Sequence, residues 1–141
     1  MKIDRYISYL IAAVLVIAVI GVIYIMANPS PSEKFTEFYI LGSDGMAGNY
    51  PTNLSMGESG TVIIGTVNHE GAPENYLVTV KLNNYTLKEE SFKLQINESK
   101  EINFTFNANQ TGNNQKMEFY LYKMPDTQNA YRFLELIINV D

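Results

Sequence analysis

The feature that most constrains this chain is an uncharged run near its N-terminus. Residues 6–26 read YISYLIAAVLVIAVIGVIYIM and contain no Asp, Glu, Lys or Arg. At a rise of about 1.5 Å per residue, a helix of this length spans roughly 31 Å, which matches the hydrocarbon core of a bilayer. A long helix in a soluble protein normally keeps a polar face, and this run has none. The sequence therefore predicts one transmembrane helix, with residues 1–27 forming a cytoplasmic N-terminus and a single membrane anchor.

A cleaved signal peptide is the competing interpretation of the same run. Signal peptides have an apolar region of about 7 to 15 residues, followed by small residues at the cleavage site. Here the apolar run is longer, and Ile25-Met26-Ala27 is a poor cleavage site, so the sequence favours an uncleaved anchor. Lys2 and Arg5 precede the run, and the positive-inside rule then places the N-terminus in the cytoplasm and the remainder of the chain outside.

After the anchor, the pattern changes to short alternating segments. Residues 28–34, NPSPSEK, contain two prolines and predict a stiff extended linker. Residues 35–141 contain seven segments in which apolar and polar residues alternate, as is typical of half-buried strands. The segments are FTEFYILGS, GTVIIGTVNHE, NYLVTVKLNN, SFKLQI, EINFTFN, KMEFYLYK and RFLELIINV. They predict an extracytoplasmic all-β domain, an antiparallel Ig-like β-sandwich of about seven strands.

Local details of this sandwich follow from the same segments. The apolar run Val62, Ile63, Ile64 and Val67 is expected to supply core side chains. Residues 97–100, NESK, lie between two alternating runs and predict a hairpin turn. Residues 109–115, NQTGNNQ, predict a polar loop in which the glycine at position 112 is available for positive φ.

Composition excludes several chemistries. The chain has no cysteine, so it has no disulfide, thiolate metal site or cysteine nucleophile, and its net charge of −5 argues against a nucleic-acid partner. The single histidine, His69, cannot form a multi-histidine metal site. Asp44 and Glu58 share a long loop but lack the spacing of a calcium-binding loop. The sequence predicts no catalytic, cofactor-binding or metal-binding residues, and a protein that is not an enzyme.

Three short motifs and two later segments carry a resemblance to a known family. YPTNL, GTVIIG and VNHE occur in this order within residues 35–71, and TGNNQKMEFYLYK and YRFLELIINVD follow later. On these residues the chain resembles an archaeal membrane family known only as domain of unknown function 1616, over roughly residues 35–141. Many members of that family carry several membrane helices before this domain, whereas this chain has one. The resemblance implies a fold and a membrane location, but no activity.

Within these motifs, we interpret five residues as architectural. Asn68 and His69 are expected to end a strand and to hydrogen-bond a neighbouring loop, for which the Tyr50-Pro51-Thr52 turn is the suggested partner. His69 and Glu70 are adjacent, so on a strand their side chains point to opposite faces and do not form a base and its orienting group.

Glycosylation is the strongest chemical signal in the sequence. Five N-x-S/T sequons occur, whereas chance pairing of 15 Asn with 17 Ser and Thr in 141 residues predicts about two. Such sequons indicate an exposed surface in a secreted or surface protein. The candidate acceptors are Asn53, Asn84, Asn97, Asn103 and Asn109.

The last two strands predict an interaction patch. If their apolar alternates face the core, then Tyr120, Tyr122, Phe133 and Ile137 face outward. An exposed apolar patch usually marks a partner site. The alternative is that the loop at 42–60 or a neighbouring segment of the chain covers these residues. The expected role is a non-catalytic binding or structural module of the cell envelope, anchored in the lipid bilayer through residues 6–26. Its expected partner is a protein in or near the membrane. The alternative is a module that binds a carbohydrate or envelope polymer, with tyrosine rings stacked on sugars.

Overall fold

The N-terminal apolar run forms one helix, α1, over Lys2–Ala27. Within it, Ile3–Ala27 has the length and composition of a membrane-spanning segment, a property that signal sequences share. The computed structural model describes residues 2–28 and 33–141, and these fall into two units, residues 1–33 and 34–141. Most of the linker predicted at 28–34, namely residues 29–32, lies outside the described residues.

The second unit is a β-sandwich of eight strands. The strands are β1 Phe35–Gly42, β2 Asn53–Leu54, β3 Ser59–His69, β4 Glu74–Leu82, β5 Tyr85–Leu94, β6 Ser99–Asn107, β7 Gly112–Lys123 and β8 Arg132–Val140. One sheet has the order β1-β3-β6, and the other has the order β2-β8-β7-β4-β5. All pairs are antiparallel except the short parallel contact of β2 with β8. The predicted all-β, Ig-like sandwich after one apolar helix is confirmed, and each of the seven predicted segments contributes one strand.

Alternation along the strands places one face of each sheet in a shared core. Val62 and Ile64 of β3 belong to the same core cluster as the inward-facing side chains of β4 and β7, and all of these side chains are fully buried. Each fully buried apolar side chain of this size stabilises the fold by about 1.5 to 3 kcal/mol. The largest buried apolar side chains are Tyr76, Phe119, Ile64, Met117, Leu121, Ile138, Val62, Val78 and Val80.

The expectation that the whole apolar run of β3 enters the core is wrong for Ile63 and Val67. Both are only partly buried, whereas Val62 and Ile64 are fully buried. The reason is the two-residue period of a strand, which sends Ile63 and Val67 to the outer face of the three-stranded sheet. An apolar run in a strand does not by itself mean burial on both faces.

The connections differ from the sequence predictions in four places. The predicted hairpin at 97–100 is wrong, because β5 and β6 lie in different sheets and the turn between them crosses the edge of the sandwich. β5 begins at Tyr85, earlier than predicted, since Asn83 and Asn84 adopt positive φ values of 50° and 71° and close a tight turn after β4. Asn53–Leu54, within the YPTNL motif, forms the unpredicted strand β2. The polar loop predicted at 109–115 is shorter than expected, because Gly112 begins β7, but the positive φ expected at Gly112 is confirmed at 153°.

Candidate functional site

The predicted patch lies on the outer face of β7 and β8. Antiparallel register sets Tyr120 of β7 directly opposite Phe133 of β8, and Lys116 opposite Ile137. Phe133 is 48% exposed and Ile137 is 37% exposed, so the 42–60 loop does not cover them. Phe133 lies against Tyr120 of β7, whereas Ile137 lies further along β8.

Three aromatic rings form a contiguous surface, which we call the aromatic platform: Tyr120, Tyr122 and Phe133. The Tyr120 and Tyr122 ring centroids are 6.2 Å apart with planes 18° apart, and the Tyr120 and Phe133 centroids are 5.2 Å apart. These separations lie in the range of favourable aromatic pairs. Lys81 of β4 places its Nζ 5.4 Å from the Tyr120 centroid, so a cation also lies over the central ring.

Carboxylates border the aromatic platform on one side. The Tyr120 hydroxyl donates a hydrogen bond to Glu118 Oε2, and Glu118 lies directly opposite Glu135 of β8. The hydrogen bond to Glu118, together with burial and the negative charge nearby, raises the pKa of Tyr120 to about 12. The hydroxyl therefore stays protonated near neutral pH, and the carboxyl groups of Glu118 and Glu135 lie next to each other at the edge of the platform, with Lys81 of β4 opposite Glu118.

Asn68, interpreted from sequence as architectural, lies fully buried at the end of β3. Its Nδ2 donates to the backbone carbonyls of Ala72, Leu94 and Gln95, at 2.8, 3.1 and 3.2 Å. Its Oδ1 accepts a hydrogen bond from the backbone N–H of Glu70 at 2.8 Å. One amide therefore holds the β3–β4 turn against the end of β5.

The suggested contact between this motif and the Tyr50-Pro51-Thr52 turn is wrong. That turn lies at the opposite end of β3, where a Cβ added to Gly60 would meet the Pro51 side chain at 2.8 Å. There the Tyr50 hydroxyl donates to the Ile40 carbonyl at 3.0 Å, and the Thr52 carbonyl accepts from the backbone N–H of Asn139 at 2.7 Å. The Tyr50-Pro51-Thr52 turn and the Asn68-His69 strand end therefore stabilise opposite ends of the sandwich.

His69 lies on the outer face of the three-stranded sheet. Its Nε2 is 2.7 Å from Glu37 Oε2, and its ring centroid is 4.9 Å from that of Phe35. Among residues 2–28 and 33–141, no group of three or more His, Asp or Glu side chains is arranged to hold a metal ion. The geometry of His69 is that of a surface hydrogen bond between an imidazole and a carboxyl group, beside an aromatic ring.

Glu70, which the sequence offered only as the neighbour of His69, joins the two sheets through its buried carboxylate. Glu70 Oε2 accepts hydrogen bonds from Thr36 Oγ1 and from the Tyr131 hydroxyl, both at 2.8 Å, and Lys123 Nζ lies 3.5 Å from Oε1. Since the one proton of Thr36 goes to Glu70, the Tyr76 hydroxyl, 2.8 Å away, donates to Thr36. We call these five residues the Glu70 cluster.

The charge of Glu70 is stabilised in this network. Burial alone raises the pKa of its carboxyl, but the hydrogen bonds from Tyr131 and Thr36 and the charge of Lys123 outweigh burial and hold the pKa below its usual value. No local pattern could have revealed the cluster, because Thr36 and Tyr131 lie 34 and 61 residues from Glu70 along the chain.

The five sequon asparagines are all exposed, but they are distributed unevenly. One lies on β2, and the other four lie on or beside β5 and β6. Their positions are Asn53 on β2, Asn84 in the β4–β5 turn, Asn97 in the β5–β6 turn, Asn103 on β6 and Asn109 in the β6–β7 loop. Near the last of these, a cleft of about 350 Å³ opens between the β4–β5 hairpin and β6, with Tyr85, Leu87 and Phe106 in its wall.

Comparison with known proteins bears on the β unit. A family model described as "Domain of unknown function (DUF1616)" matches residues 29–139. The CARDB domain of a Pyrococcus furiosus protein, solved in complex with di-metal ions, is similar with a TM-score of 0.60 and 15% identity, over 81% of this chain and 94% of that one. No curated protein matches the chain.

Two larger proteins contain a similar domain. The α-2-macroglobulin of Escherichia coli aligns with a TM-score of 0.55 and 9% identity, over 79% of this chain and 17% of that one. A β-glucosidase of Listeria innocua, solved with isofagomine, aligns with a TM-score of 0.52 and 14% identity, over 77% of this chain and 16% of that one. At these identities the likeness shows the fold alone.

Proposed function

The chain belongs to the DUF1616 family, and from that premise we propose that it is a single-pass membrane protein whose extracytoplasmic β-sandwich is a non-catalytic binding module. The sandwich docks a protein partner in or near the membrane through the aromatic platform. The helix α1 is the anchor, with its N-terminus in the cytoplasm. The protein serves the cell envelope as an accessory subunit of a membrane complex.

The observation that carries this proposal is the aromatic platform itself. Three large rings lie in contact on the outer face of a sheet whose other face already forms the core, and Phe133 is 48% exposed. Aromatic residues are enriched at protein interfaces because they contribute large contact areas at low entropic cost. Glu118 and Glu135 at its border suit a partner with a basic residue next to its apolar contact.

A sugar ligand is the second candidate, and the near-parallel rings of Tyr120 and Tyr122 favour it. A stacked sugar needs an open ring face. The central ring, Tyr120, already has Lys81 above it and Phe133 beside it. These contacts are why we place the protein partner first.

Topology is tested by adding protease to intact cells. The proposal expects removal of residues 34–141 while a cytoplasmic control protein stays intact. Full protection of the domain would reverse the orientation. A mature chain that begins near Asn28 in an intact-mass measurement would show a cleaved signal peptide in place of an anchor.

The partner is tested by purification in mild detergent from native membranes, followed by mass spectrometry. The proposal expects one stoichiometric membrane protein, which is lost in a Tyr120→Ala, Phe133→Ala double variant of unchanged melting temperature. The matched control is Leu87→Ala, an exposed apolar residue on β5 that is 44% exposed. If no partner is recovered, and glycan-array binding is lost in Tyr120→Ala and Tyr122→Ala, the sugar-binding alternative replaces the proposal.

A further inference from the structure

We infer that an N-linked glycan on Asn103 covers the unpaired edge of β6 and prevents this edge from pairing with a second copy of the chain. Asn84, Asn97 and Asn109 carry glycans around the same edge. The inference rests on the proposed extracytoplasmic location of the sandwich, because N-linked glycans are added on that side of the membrane. It concerns a different surface from the aromatic platform.

The first observation is the exposed edge of β6. Within residues 33–141, β6 is paired only with β3, so its other side presents free backbone N–H and C=O groups. Residues 102–107, INFTFN, contain no charge, proline or glycine, and Ile102, Phe104 and Phe106 alternate into the core. Uncharged, regular edge strands of this kind are templates for pairing with another chain.

The neighbouring edge strand is protected differently. β5 lies at the end of the other sheet, on the same side of the sandwich as β6. It carries charges at Lys88, Glu89, Glu90 and Lys93, which oppose strand addition. β6 has charges only near its start, at Lys100 and Glu101. The uncharged part of β6 therefore needs another form of protection.

The second observation is where the sequons fall. Asn103 is exposed in the middle of the uncharged segment, on the outward face of β6. Asn84 and Asn97 lie in the turns at the two ends of β5, and Asn109 follows β6 and lines the cleft beside it. Asn53 is the exception, since it pairs with β8 in the five-stranded sheet. Four acceptors thus surround the vulnerable edge, and none lies on the aromatic platform.

The modification needs a lipid-linked sugar phosphate as its donor. Asn103 Nδ2 forms a bond to the anomeric carbon of the sugar, the bond from that carbon to the phosphate oxygen breaks, and the nitrogen loses one proton. The lipid phosphate leaves with the bonding electrons. The product is a bulky, hydrated group that stands beside the strand edge and obstructs a second strand.

The test uses the full chain purified from its native membrane in detergent. Peptide mass spectrometry measures occupancy at the sequons, and sedimentation measures the number of copies per particle. Asn103→Gln removes the acceptor, Thr105→Ser keeps the sequon, and Asn75→Gln is an exposed asparagine outside any sequon. We expect Asn103→Gln to lose one glycan mass and to shift from one copy to two, while both controls behave as the wild type.

A second test introduces a charged side chain at the β6 edge in place of the glycan. In enzymatically deglycosylated chain, Asn103→Lys is expected to restore the single copy, because a lysine on an edge strand opposes pairing. If protease removes the domain from intact cells but Asn103 carries no glycan, this inference is overturned and the proposed function still holds. A glycan whose removal leaves the copy number unchanged would overturn the protective role. A domain protected from protease defeats both.

Discussion

Among single residues, Glu70 is a buried carboxylate that links the two sheets. Its carboxylate accepts hydrogen bonds from two hydroxyl groups, that of Thr36 on β1 and that of Tyr131 just before β8. A buried carboxylate is tolerated only when its lone pairs are satisfied, and here they are. The residue acts as a polar connection between the sheets.

The first prediction is that Glu70→Gln destabilises the domain and reduces its acid sensitivity. The folded pKa of Glu70 lies below its usual value of 4.5, so its stabilising effect is present above that pH and is lost as pH falls through the folded pKa. At neutral pH, loss of charge-assisted hydrogen bonds should cost about 1.5 to 3 kcal/mol. Urea denaturation at neutral pH and near pH 3 measures both effects. Equal acid-induced losses of stability in wild type and variant would contradict the prediction.

The second prediction separates two neighbouring residues of β3. Ile64→Ala should cost about 2 to 5 kcal/mol, because the fully buried side chain leaves a cavity in the core. Ile63→Ala should cost roughly 1 kcal/mol or less, because Ile63 lies on the outer face and keeps contact with solvent. Chemical denaturation of the two variants makes the comparison. Similar losses would mean that the outer face is covered in solution.

At the scale of the element, the β1–β3 pair depends on a glycine covered by an aromatic ring. Tyr39 of β1 lies opposite Gly65 of β3, and its hydroxyl donates to Glu101 of β6 at 3.1 Å. A Cβ on Gly65 would lie 2.0 Å from the Tyr39 ring. The ring therefore crosses the central strand of its sheet in space that only glycine leaves open.

The third prediction is a double-mutant cycle on this pair. Gly65→Ala alone should destabilise the domain, because the methyl group displaces the ring and breaks its bond to Glu101. In a Tyr39→Ala background the same change should be neutral or stabilising by about 0.5 to 1 kcal/mol, since alanine suits a strand better than glycine. The coupling free energy from denaturation measures the interaction. Additive effects would show that the ring does not lie over Gly65.

At the scale of the whole molecule, the chain divides into two units, one helical and one made of β-strands. Residues 34–141 form one unit with its own core, and the described residues of α1 lie in the other unit. A core of this size is sufficient for a domain of about 100 residues to fold alone. The division of labour in the proposed function, anchor and binding module, follows the same boundary.

The fourth prediction concerns this boundary. A chain of residues 34–141 should be soluble and should unfold cooperatively, with the free energy of unfolding that the domain has in the full chain. The full chain should remain with the membrane after alkaline extraction, because its apolar run adds a large free energy of membrane transfer. Circular dichroism and fractionation measure the two properties. A fragment that fails to fold would show that the anchor contributes to the core.

Most elements of this protein follow from local sequence patterns, and the two-residue strand β2 is the exception. The uncharged run at 6–26 specified the apolar helix, and the two-residue alternation in seven segments specified the strands and most inward-facing side chains. These are local properties, since charge, length and side-chain period are all read from neighbouring residues. The same alternation also placed Tyr120, Tyr122, Phe133 and Ile137 on the outer face.

Which elements contact one another depends on the assembled fold. The β5–β6 turn looked like a hairpin because its flanks alternate, yet the two strands pack in different sheets. Asn68 bonds to residues 26 and 27 positions away, and Glu70 to residues 34 and 61 positions away. Such contacts depend on how the two sheets stack and on the order of strands within them, and no local pattern encodes either. For the same reason, the sequence alone does not show that four sequons lie around one open strand edge. Their proximity follows from the positions of β5 and β6 on the same side of the sandwich.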